Sequence, residues 1–117
     1  MLLFYAVIMY SQITFEEFYN PHENYYEFAK HVQQTSEGAY IISGVAYNTW
    51  DAKAFLFKIT EQGAYDWFSL YDFTIADYLP FKVVETTGSG FICGPATGDP
   101  ELGNSSFYLM KTDENGN

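Results

Sequence analysis

Two parts of this 117-residue chain carry the same pattern about fifty residues apart. The stretch QTSEGAYIISG (34–44) returns as ETTGSGFICG (85–94), and FLFKITEQG (55–63) returns as YLMKTDENG (108–116). Thr35 aligns with Thr86 at an offset of 51, and Lys58 aligns with Lys111 at an offset of 53. A unit of about fifty residues that holds four strands is typical of a propeller blade, which cannot bury both faces alone. The repeat therefore predicts a stack of similar β units.

Short apolar segments divided by turn residues predict an all-β chain. No segment keeps an apolar period of 3.6 over three turns, and the helical spacing between Phe15 and Phe28 is interrupted at Asn20-Pro21. Glycines in SEG, EQG and ENGN suit tight hairpin corners. The predicted strands are 28–35, 39–47, 54–60, 64–73, 80–87, 91–94 and 107–113.

The strand segments YIISGV and AFLFKI are apolar at consecutive positions, so both of their faces must be covered. We expect β-propeller-type blades of four antiparallel strands, here about two blades of an incomplete propeller. Residues 28–73 form the first repeat and 74–117 a second, truncated one. Open blade faces and unpaired edges favour self-association.

The N-terminal part differs from the repeats. Residues 1–12 form an uncharged apolar run that is too short to span a bilayer and has the length of a signal-peptide core without its basic flank. A signal-peptide remnant is our expectation, and an N-terminal core strand is the alternative. Residues 13–27 are predicted as a strand or linker, in which ITFEEFY is a candidate closure strand for a blade supplied by further units.

Charge and cysteine content exclude several classes of function. Five Lys and Arg against fifteen Asp and Glu give a net charge of −10, which repels phosphate backbones and anionic lipids, so no nucleic-acid partner is expected. Cys93 is the only cysteine, which excludes an intrachain disulfide and a thiolate metal cluster. The 48% hydrophobic and 21% aromatic shares instead require a buried core.

No catalytic motif stands in the chain, and we predict no catalytic residue, metal site or cofactor. Glu16 and Glu17 would point to opposite faces of a strand, so they cannot act as an acid–base pair. His22, His31 and Glu23 are predicted to be structural or solvated.

Two further features are predicted to be structural. The segment DENGN (113–117) lacks the ligand spacing of a calcium loop. Lys58 and Lys111 occupy equivalent strand ends, where a packed stem with an ammonium at the rim is expected.

Aromatic side chains are the strongest binding candidates. Tyr47 and Trp50 flank the loop YNTWDAK, in the place where propeller loops protrude, and can stack on a sugar ring or a partner side chain. Packing between blades is the alternative for both. Trp67, after the EQG corner, is predicted to lie in the core.

The repeated segments resemble secreted bacterial proteins whose units read Q-T-x-D-G-G-Y-I-I-x-G, a variable loop, and L-I-K-x-D-x-x-G-N followed by Trp. The resemblance covers residues 28–117, with Glu37 and Ala39 replacing the usual Asp and Gly. It implies a secreted or cell-surface location and a noncatalytic scaffold, adhesion or ligand-binding module for protein or glycan. A fragment of a propeller enzyme and a two-repeat protein that oligomerises are the alternatives. Because Asn117 stands where a further strand should begin, we expect a piece of a longer protein.

Overall fold

The computed structural model describes residues 15–72, 81–95 and 109–117, which form two antiparallel sheets and no helix. The first sheet has the order β1 (Tyr26–Gln34), β2 (Tyr40–Tyr47), β3 (Ala52–Ile59), β4 (Tyr65–Tyr71). The second has the order β5 (Phe81–Glu85), β6 (Phe91–Pro95), β7 (Met110–Thr112). The predicted all-β class is confirmed, whereas the predicted signal-peptide remnant at 1–12 lies outside the described residues. Within those residues, no helix is long and apolar enough to cross a membrane.

The two sheets pair their strands in the same register at residues related by the sequence offsets. Gln34 pairs with Tyr40 in the first sheet, as Glu85 pairs with Phe91 in the second. Between the next two strands, the corresponding pairs are Ile42 with Phe57 and Cys93 with Met110. The similar turn residues and apolar segments of the two repeats therefore lead to similar local structures.

The corners between strands are closed by the same hydrogen bonds in both sheets. The Thr35 N–H donates to the Ala39 carbonyl at 2.8 Å, and the Thr86 N–H donates to the Gly90 carbonyl at 2.8 Å. Gly38 takes a φ of 87° at the first corner, a backbone conformation that glycine adopts without a side-chain clash.

The sheets pack face to face through one apolar core. Its buried members come from β2 and β3 on one side and from β5 and β6 on the other: Ile41, Val45, Ala54, Leu56, Val83, Phe91 and Cys93. Full burial of one such aliphatic side chain contributes about 1.5–3 kcal/mol. This core supplies the main apolar contact between the two halves of the described chain.

The opposite face of the first sheet is also apolar. Phe55, Phe57 and Ile59 of β3 are buried there, and Phe15 and Tyr19 pack against them from the N-terminal side. Because Leu56 of the same strand lies in the other core, β3 is buried on both faces. This is the arrangement expected for a strand that is apolar at consecutive positions.

Candidate binding site

The β2–β3 hairpin ends in a short turn that presents Trp50 to solvent. The Asn48 N–H donates to the Asp51 carbonyl at 2.9 Å, and the Asn48 Oδ1 accepts from the Trp50 N–H at 2.9 Å. This side-chain-to-backbone bond is the usual way in which Asn stabilises a turn. Because the turn extends beyond the sheet, the Trp50 side chain is 91% exposed.

Tyr47 is placed differently from Trp50. Its half-buried ring packs against the core between the sheets and makes an edge-to-face contact with Phe28, with ring centroids 5.5 Å apart. Of the two residues that the sequence predicts as a ligand surface, only Trp50 is exposed, whereas Tyr47 anchors the base of the hairpin.

A cleft of about 600 Å³ lies beside this hairpin. Its walls include Tyr25, just before β1, Tyr26, the first residue of β1, and Asn48 and Thr49 from the turn. The Tyr25 hydroxyl is 3.4 Å from the Asp51 carboxylate, to which it donates. Tyr25 and Tyr26 are not among the predicted binding residues, although the cluster NYYEF indicated an aromatic surface.

Carboxylates dominate the electrostatics around the hairpin. Lys53 is paired with Asp72 and lies 3.2 Å from the Asp51 carboxylate. Hydrogen bonds to Asp72 and Asp51 raise the pKa of Lys53 above its ordinary value, so the ammonium stays charged and the two carboxylates balance its charge. Burial raises the pKa of Glu27, whose side chain lines the same cleft.

Each of the two histidines contacts another residue, and three further carboxylates are exposed. The His22 ring makes an edge-to-face contact with Tyr25, and His31 Nδ1 accepts from the Val83 N–H at 3.4 Å. Glu16, Glu17 and Glu23 are exposed. In the part of the chain that the structure describes, no group of three or more His, Cys, Asp or Glu side chains could hold a metal ion.

The DENGN corner uses its carboxylate internally. Asp113 Oδ1 accepts from the N–H groups of Asn115 and Asn117, each at 2.9 Å. These backbone donors lower the pKa of Asp113, because they stabilise the charged form. The carboxylate thus stabilises a turn.

The other singled-out side chains lie along the strands. Lys58 faces Asp66 at 3.6 Å, and its counterpart Lys111 is exposed. Trp67 is half-buried and packs against the core, with its ring centroid 6.0 Å from that of Phe91.

Comparison with protein-family models, with curated proteins and with solved structures gave no match for this chain.

Proposed function

We propose that this chain belongs to a noncatalytic β-propeller repeat protein of the cell exterior or surface, and that it binds a glycan or protein ligand through the β2–β3 hairpin. The main support is the exposure of Trp50, which is 91% exposed on a turn that a hydrogen bond to Asn48 stabilises. A large aromatic side chain outside the core offers stacking area at a low cost in conformational entropy.

The packing of the two sheets supports the propeller part of this proposal. They have the same strand register and stack face to face, and their shared core contains Leu56 and Phe91. Adjacent propeller blades are four-stranded antiparallel sheets that pack in this manner around a central axis. The resemblance of the repeat segments to secreted bacterial proteins supports an extracellular location.

The charge near the hairpin restricts the ligand chemistry. Asp51 and Glu23 lie at or beside the turn and the chain carries a net charge of −10, so an acidic polysaccharide would be repelled. A neutral sugar can stack on Trp50, and the side-chain amide of Asn48 in the same turn can hydrogen-bond to a hydroxyl group of the sugar. We therefore place neutral oligosaccharides before acidic ones as the ligand class.

The test is binding to an array of neutral and acidic oligosaccharides and peptides. We expect Trp50→Ala to weaken binding by at least about tenfold, since stacking on an aromatic ring is worth about 1–3 kcal/mol. Trp50→Phe should retain part of the affinity. Tyr65→Ala removes another exposed aromatic from β4 and serves as the matched control. Equal affinity of Trp50→Ala and the parent chain would contradict the proposed site.

One observation favours the alternative of a propeller enzyme. Glu27 is a half-buried carboxylate with a raised pKa in the cleft, as a general acid often is. Hydrolysis of aryl glycosides that is abolished in Glu27→Gln would overturn the noncatalytic assignment. We expect no such turnover, and we expect ligand binding to persist in the variant.

A further inference from the structure

The N-terminal segment, defined here as residues 15–19, contacts the first sheet as β4 contacts the second. The Tyr19 hydroxyl donates to the Gly63 carbonyl at 2.7 Å, and the Tyr71 hydroxyl donates to the Gly116 carbonyl at 2.7 Å. Gly63 and Gly116 occupy the same corner of their hairpins, with φ values of 84° and 80°. The two tyrosines therefore make one contact on two successive sheets.

A second pair of aromatic residues repeats this correspondence. The Phe15 and Tyr40 ring centroids are 5.9 Å apart, and those of Trp67 and Phe91 are 6.0 Å apart. Tyr40 and Phe91 are equivalent first residues of β2 and β6. Tyr19 follows Phe15 by four positions, as Tyr71 follows Trp67. The N-terminal segment thus occupies the position of a fourth strand from a preceding unit.

The first three strands of such a unit would cover a groove beside this segment. The groove has a volume of about 930 Å³ and is lined by Val32, Tyr40, Ile42, Phe57 and Ile59 among others. Val32 is 59% exposed there, whereas its counterpart Val83 in the second sheet is 0% exposed because the first sheet covers it. The groove is therefore the equivalent of a face that is buried in the neighbouring sheet.

In the described part of the chain, the second sheet has an edge strand that is paired on one side only and an exposed apolar face. Within the described residues, β7 pairs with β6 on one side and has no strand on its other edge. Leu109, beside this edge, is 55% exposed, whereas its counterpart Leu56 in the first sheet is 0% exposed. Val84 on β5 is also exposed. Among the described residues, the second sheet thus has three strands and an exposed apolar face, and the N-terminal segment makes the contacts of a fourth strand.

We propose that two copies of this chain associate head to tail, with the N-terminal segment of one copy completing the β5–β7 sheet of the other and that sheet covering the groove. This inference rests on the stacked-unit architecture of the proposed function. In the register of β3 with β4, Leu109 would lie opposite Glu17, and Lys111 opposite Phe15. Lys111 and Glu17 then become diagonal neighbours of opposite charge, which is a favourable arrangement.

Such an interface is heterologous, so it propagates until a ring closes. The described residues of each copy form two sheets, so a ring of two to four copies would hold four to eight such sheets, which matches the usual number of blades in a propeller. The expected species in solution is thus a closed oligomer that dissociates on dilution.

The test is a disulfide between copies. Glu17→Cys combined with Leu109→Cys places two thiols at directly opposed positions, and mild oxidation should give multimers on a non-reducing gel. The control pairs Leu109→Cys with Glu37→Cys, which is exposed on another corner, and should remain monomeric. Cys93 is buried and does not compete. Peptide mapping should find residues 17 and 109 joined.

Sedimentation velocity across a dilution series provides the second readout. Val84→Asp with Leu109→Asp changes two exposed side chains, so the fold should persist while association weakens by at least tenfold. A disulfide formed within one chain would overturn the proposal in favour of internal closure, and a monomer at all concentrations would also overturn it. If that monomer still lost ligand binding on Trp50→Ala, the proposed function would stand without the assembly.

Discussion

The carboxylate of Glu85 on β5 accepts from both the N–H and the hydroxyl of Ser36, at 2.7 Å and 3.0 Å. Ser36 belongs to the corner after β1, so this pair joins the edges of the two sheets. The Glu85 N–H also donates to Gln33 Oε1 at 3.0 Å. Glu85 therefore connects two local structures that otherwise meet mainly through their apolar core.

We expect Glu85→Ala to lower the free energy of unfolding by about 1 kcal/mol. A hydrogen bond to a charged group stabilises a fold more than one between neutral groups, but solvent competes for the exposed Ser36. Urea denaturation measures the change. Glu37→Ala removes the same charge from an exposed position next to Ser36. It should lower the free energy of unfolding much less. Equal losses in the two variants would show that the Glu85 contacts do not stabilise the stack.

Gly63→Ala should destabilise the chain by about 1–2 kcal/mol, since a left-handed backbone conformation costs that amount for a residue with a side chain. The added Cβ would also lie 2.7 Å from the Phe15 ring, which must move. Gly88→Ala is the matched control, because a Cβ there meets no atom within 4 Å. Thermal unfolding compares the two. A destabilised Gly88→Ala with an unaffected Gly63→Ala would contradict the structure of both corners.

Adjacent valines on β5 test the direction in which the second sheet faces. Val83 is fully buried against the first sheet, whereas Val84 is half exposed on the opposite face. Val83→Ala should cost about 2 kcal/mol through lost burial and the resulting cavity. Val84→Ala should cost less than about 0.5 kcal/mol in dilute solution, where copies are separate. The reverse order would mean that the other face of β5 meets the core.

Alkaline pH should destabilise the chain through the buried Cys93 and the half-buried Tyr71. Burial raises the pKa of the Cys93 thiol from 9.0 to about 12 and that of Tyr71 from 10.0 to about 12. Between the ordinary pKa of each group and its raised value, the group loses its proton in the unfolded chain but keeps it in the folded chain. Stability is therefore intact below pH 9 and falls as the pH rises towards 12.

Urea unfolding from pH 7 to 11 measures this loss. We expect Cys93→Ala and Tyr71→Phe each to reduce the dependence of the free energy of unfolding on pH. Val84→Ala changes an exposed side chain that carries no titratable group and should leave the slope unchanged. Stability that rises between pH 9 and 11 would contradict the burial of these groups.

Much of the local structure was predictable because it depends on neighbouring residues. Glycine at the corners and the apolar runs beside them indicated the hairpins, and six of the seven strands lie close to their predicted ranges. β7 covers only Met110–Thr112 of the predicted 107–113, and residues 107 and 108 are outside the described part. The consecutive apolar positions of β3 also indicated burial on both faces.

The binding residues were less predictable. Tyr47 and Trp50 are both aromatic and flank one loop, and nothing in their spacing distinguishes an anchor from a ligand surface. Their roles separate because Tyr47 still belongs to β2 and reaches the core, whereas Trp50 lies beyond the sheet.

The sequence by itself determined an acidic β chain with turns at its glycines and strands that are buried on both faces, because these properties follow from composition and from spacing over a few residues. Only the tertiary structure decided that Phe15 and Tyr19 pack on the first sheet as Trp67 and Tyr71 pack on the second. FEEFY and WFSLY share aromatic spacing but little identity, so their equivalence appears only in contacts with distant corners. Those contacts join residues far apart in the chain, where packing rather than local preference selects the partner.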